Sequence, residues 1–137
     1  MAIFYNKMER NSLGEKGGKR FWYPVVRSTG TMKEKKFIKK LAKEVNLDPK
    51  RVEWIMSKMS ELIVEGLLNG EIIPLGELGS LRTTLKAEPS ESEEEVNSSK
   101  IKKTTVLFTE SGWLKHVMKE AKFLHTSAIA KKEKKKR

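Results

Sequence analysis

The sequence predicts an α+β fold, on three observations. Two stretches, 32–45 and 49–69, carry apolar side chains at helical spacing. Four others, 2–8, 21–27, 80–86 and 100–109, alternate or are rich in β-branched and aromatic residues. Glycine- and asparagine-containing breaks stand between them. The chain has 137 residues, of which 37% are apolar, enough for one domain with a thin core.

The elements follow in order. Ile3-Phe4-Tyr5 and Phe21-Trp22-Tyr23-Pro24-Val25-Val26 suit two strands. The polar, glycine-rich 11–19 between them suits a hairpin turn. Pro24 cannot donate to a ladder, so its strand is expected to have an edge there. Strand aromatics are most often packed; a contact with nucleic acid is the functional alternative for this hairpin.

Thr31 is the expected N-cap of a first helix, with Glu34 three residues on in a capping box. Phe37, Ile38, Leu41, Ala42 and Val45 form its apolar stripe, and lysines crowd the rest. Asp48 and Pro49 then announce a second helix, which Gly70 stops. Val52, Ile55, Met56, Met59, Leu62, Ile63 and Leu67 share one stripe, while Trp54, Val64 and Leu68 lie off it. That apolar surface is wider than one neighbouring helix needs. Either the helix is sandwiched inside the fold or it faces a second chain; the thin core favours the second, with the seven stripe residues as the expected core of a homodimer.

Glu71–Leu75 reads as a short strand, 76–79 as a turn, and 80–86 as a longer strand. Residues 87–99 are acidic and are expected to be mobile. Lys100–Thr109 reads as the returning strand, so the pair makes a long arm with an acidic tip. A last helix is expected from Glu110 to Leu124, with Trp113, Leu114, Val117, Met118, Ala121 and Leu124 on one face. His116 is a flank residue, and His125 would sit near that helix's C-terminus. The lysine run after Ala130 has nothing to bury. The expected organisation is a hairpin extension at 1–30, a main domain at 31–124 with its arm tip at 87–99, and a basic tail at 125–137.

Charge points to the partner. The net charge is +11, with +9 on residues 100–137 and −5 on 87–99. Such a basic chain suits a polyanion. Composition also excludes. With no cysteine there is no disulfide, thiol catalyst or thiolate metal site. Two histidines leave little for a zinc site or a histidine triad. No phosphate-cradling loop and no nucleophile with a plausible base is visible, so neither an enzyme nor a cofactor nor a small-molecule substrate is expected. No run approaches the ~18 apolar residues of a membrane span, and the start lacks a secretory pattern; a cytoplasmic protein is expected.

The order of elements, with Asn69-Gly70-Glu71-Ile72-Ile73-Pro74-Leu75-Gly76-Glu77-Leu78-Gly79-Ser80-Leu81, resembles the bacterial histone-like HU/IHF family. The resemblance covers about 32–123. With its added hairpin the chain looks most like elongated Bacteroides-type variants. It implies a helical base, a three-stranded sheet and two extended β-arms in an intertwined homodimer that grips bent double-stranded DNA through the minor groove. Carried onto this sequence, the DNA-contacting positions are Ser80, Arg82, Lys86, Lys100, Lys102 and Lys103. The family's tip carries an Arg-Asn-Pro wedge; here Pro89 stands between Glu88 and Ser90, followed by Glu91 and Glu93–Glu95. Carboxylates are repelled by a negative groove, so binding through the sheet and the arm base is expected, with the tip turned away or disordered. The implied function is sequence-nonspecific, nucleoid-associated DNA binding. Two alternatives stand beside it: an HU-like scaffold that has lost DNA wrapping and binds protein, and an RNA binder that stacks bases on Phe21, Trp22 and Tyr23.

Overall fold

The computed structural model describes residues 1–11 and 19–127. Most of the expected 11–19 turn and, of the expected basic tail, residues 128–137 with the whole lysine run lie outside the described residues. The chain divides into two compact units, Glu34–Met118 and Met1–Lys33 with Lys119–Arg137.

The larger unit begins with α1 (Glu34–Val45) and α2 (Pro49–Leu68). Glu34 in the first turn of α1 and Lys43 in the last complement the helix dipole. The expected capping box at Thr31 does not form, because α1 starts at Glu34 itself. The approach is held instead by Ser28, whose Oγ donates to the Gly30 carbonyl and accepts from the Gly30 amide, both at 3.0 Å. Asn46 ends α1 in the left-handed region, φ 55°. The Leu47 amide then reaches the Ala42 carbonyl at 3.0 Å, and the Asn46 amide that of Lys43 at 3.4 Å, a Schellman closure.

Asp48 caps α2 as expected, accepting from the Lys50 amide at 2.8 Å, with Pro49 next. Its far end repeats the closure. Gly70 takes φ 74°, and the Glu71 and Gly70 amides reach the Gly66 and Leu67 carbonyls at 3.0 and 3.1 Å. Ile38, Ala42 and Val52 are the buried core, with Leu41 and Met56 packed on them.

The sheet of this unit has the order β3-β4-β5, from β3 (Ile73–Pro74), β4 (Gly79–Ala87) and β5 (Ile101–Glu110). A 3-10 turn at Gly76–Leu78 joins β3 to β4. The acidic tip takes two further 3-10 turns, Glu93–Glu95 and Ser98–Lys100, the second capped by Asn97. The last helix is α3 (Gly112–Lys119), and Ser111 caps it by accepting from the Leu114 amide at 3.0 Å.

α3 is shorter than expected. Instead of continuing to Leu124, the chain forms β6 (Phe123–His125), which pairs in parallel with β1 (Ile3–Asn11). The cause is non-local. The open edge of β1 supplies backbone partners, Ile3 amide to Lys122 carbonyl at 2.7 Å and Thr126 amide to Tyr5 carbonyl at 3.1 Å. His125 is therefore a strand residue, set edge-on to the Tyr5 ring at 5.5 Å, and not a helix-terminal cation.

With β2 (Arg20–Arg27) the smaller unit is a sheet of order β2-β1-β6, in which β1 and β2 pair antiparallel. Pro24 sits on an edge strand as expected. The register separates the aromatics. Trp22 pairs with Glu9, so it shares a face with Tyr5; Phe21 and Tyr23 project from the other, 6.5 Å apart. The three cannot form one stacking platform.

Candidate nucleic-acid interface

The arm's two faces differ because strand side chains alternate. The Thr83 hydroxyl donates to the Leu67 carbonyl at 2.9 Å, which fixes one face of β4 toward α2. Leu81 shares that face, paired with Ile73 and Phe108. Ser80, Arg82, Thr84 and Lys86 therefore project from the opposite face.

Register completes that face. Thr109, Leu107, Thr105 and Lys103 of β5 stand opposite these four residues in turn. Thr84 and Thr105 join their hydroxyls at 2.7 Å. Lys86 directly opposes Lys103, and both are exposed. Like charges directly across a ladder destabilise it. Arg82 is half-buried, and its Nε has no hydrogen-bond partner among the described residues. The face is thus cationic, with hydroxyls between the cations.

Four of the six expected DNA-contacting residues, Ser80, Arg82, Lys86 and Lys103, come together here. Lys102 and Lys100 do not join the ladder face. Register shifts between Lys86 and Ala87, which pairs with Ile101, so Lys102 is left without a cross-strand partner. Its Nζ pairs with Glu88 Oε1 at 2.8 Å. Lys100 closes the second 3-10 turn of the tip and is half-buried. Thr84 and Thr105 were missed as site residues, although the i, i+2 alternation from Ser80 to Lys86 would have found Thr84.

The seven stripe residues of α2 also divide. Val52 is buried and Met56 packed in the chain's own core. Ile63 and Leu67 are half-buried, while Ile55, Met59 and Leu62 are exposed, Leu62 at 68%. Among the described residues no group of His, Asp and Glu is arranged to hold a metal ion.

Two helices, a three-stranded sheet with a long two-stranded arm, and a closing helix define an HU-like domain. Comparison narrows this. The chain belongs to the HU-HIG family, described as an HU domain fused to wHTH, Ig, or Glycine-rich motif, whose sequence model matches residues 1–125. A similar solved structure is that of a protein from Bacteroides vulgatus described as a candidate bacterial DNA-binding protein. The two share 12% identity and a TM-score of 0.64 over 91% of this chain. That likeness concerns the fold, and this chain spans 48% of the neighbour's length. Among curated proteins no sequence matches the chain.

Proposed function

We propose that this chain is a non-enzymatic, largely sequence-nonspecific double-stranded DNA-binding protein that acts as a homodimer in the bacterial nucleoid. The observation that carries the reading is the exposed Lys86–Lys103 pair on the sheet face opposite α2, with Arg82 on the same face. Two ammonium groups held against each other are relieved by a phosphate placed between them. The intervening hydroxyls suit contacts to phosphate or sugar, which position a duplex without reading its sequence. The Bacteroides vulgatus neighbour's description and the HU domain of the family support the same partner.

The dimer reading rests on α2. Ile55, Met59 and Leu62 stay exposed among the described residues, and covering what remains of each would gain on the order of 1 kcal/mol. No described helix is long and apolar enough to cross a membrane.

One observation favours the rival, a scaffold that has lost DNA wrapping: Glu88 occupies Lys102, and the tip is acidic. A fluorescence-anisotropy titration against a short duplex at several salt concentrations separates the two. The expected result is tight binding at low salt, with log affinity falling linearly in log salt. Absence of binding even at low salt would favour the scaffold.

A further inference from the structure

We propose that the β2-β1-β6 sheet carries a second nucleic-acid site, one that takes single-stranded DNA by stacking its bases on Trp22 and on the rings around Tyr5. The choice of DNA over RNA rests on the duplex reading above; the site itself does not.

The register builds the surface. Trp22 opposes Glu9, Pro24 opposes Lys7, and Val26 opposes Tyr5. On the other side of β1, Phe123 and His125 stand beside Ile3 and Tyr5. All of these share one face. Together Tyr5, Lys7, Trp22, Pro24, Val26 and Phe123 line most of an open concavity of about 590 Å³. The Trp22 and Phe123 side chains are not packed away: their residues are 67% and 59% exposed. Along the strands, Trp22 lies four residues from the Tyr5 position, about 13 Å. The face therefore offers an aromatic station at each end with a cation, Lys7, between them.

Charge decides the occupant. Arg20 lies at the Trp22 end of the same face, its Nε donating to Asn11 Oδ1 at 3.2 Å. Glu9 is the one carboxylate on this face among the described residues. Over the described part of this unit, eight basic side chains outnumber two acidic ones, Glu9 and Glu120. A second copy seated on this face would bring two sets of Lys7 and Arg20 together, with only Glu9 of each copy to offset them. A single strand brings both things the face lacks: phosphates for the cations and flat π-faces for the exposed rings. A duplex keeps its bases stacked inside and cannot use the rings.

The test is anisotropy of the full chain at low salt with labelled oligodeoxythymidylate, oligouridylate and a duplex. Trp22→Ala, Trp22→Tyr and the double variant Lys86→Ala/Lys103→Ala are compared, with circular dichroism to verify folding. Trp22→Ala is expected to weaken oligodeoxythymidylate binding by about 5-fold or more. Trp22→Tyr should restore most of that loss, and the double variant should weaken only the duplex. The proposal is overturned if Trp22→Ala leaves oligodeoxythymidylate affinity unchanged, or if the double variant alone removes it. Tighter binding of oligouridylate, or an oligomer in sedimentation that Trp22→Ala dissociates, would likewise overturn it. Duplex binding that fails while Trp22-dependent single-strand binding persists would count against the duplex reading and for this one.

Discussion

Lys86 and Lys103 form a direct cross-strand pair, both exposed, on the arm face turned away from α2. A ladder built for stability alone would place threonine or opposite charges there, as it does one step along at Thr84 and Thr105. The pair opposes folding and favours an anion. Lys103→Thr is therefore expected to raise stability by a few tenths of a kcal/mol, up to about 1, in urea denaturation. It should also weaken duplex binding and lower the salt slope by about 1. Weaker folding with unchanged binding would count against a phosphate site.

The Glu88–Lys102 pair is exposed on both sides, so it contributes little to stability. Its effect falls on binding. Glu88→Gln frees Lys102 and is expected to tighten duplex binding and steepen the salt slope by about 1, with Tm unchanged. Deleting residues 88–97 removes the rest of the acidic charge and should preserve or tighten binding. A large loss of affinity on deletion would show that the tip itself grips DNA.

Leu62 tests the dimer. It is far more exposed than a leucine in the middle of an apolar helix stripe should be. Leu62→Glu is expected to leave a lone chain's packing intact while a buried carboxylate disrupts the α2 face of a dimer. Sedimentation equilibrium should then show a dimer for the wild type and a monomer for the variant. Identical masses would sink the dimer reading.

Gly79 is a structural test of the arm's base. Its φ is 146°, and a Cβ there would run into the Thr109 carbonyl oxygen. Gly79→Ala is expected to cost about 2–3 kcal/mol or more by urea unfolding, from backbone strain and the clash together. Duplex affinity per folded molecule should fall too, because Gly79 starts the strand that carries Arg82 and Lys86.

Much of this architecture was legible locally. Asp48-Pro49 announced α2 and Gly70 ended it, because caps are set by a few adjacent residues. The β4 cations Arg82 and Lys86 came from the family resemblance, and strand alternation sets both on one face. The place of Lys102 was not legible, because only pairing with β4 reveals the shift that takes it out of the ladder. Phe123–His125 failed for a related reason. Leu124 continues the apolar face of α3 in sequence, but the free edge of β1 outbids the helix for its backbone.

By itself, then, the sequence determined every α-helix and strand except β6, and the order of the rest, because each depends on neighbours within a turn or two of chain; the excess of positive charge is read directly from composition. Tertiary structure alone decided which residues meet: that Lys103 opposes Lys86, that Glu88 takes Lys102, and that Trp22 shares a face with Tyr5. The reason is register. One residue of slip turns every side chain of a strand to the other face, and register is fixed by hydrogen bonds between segments distant in the sequence.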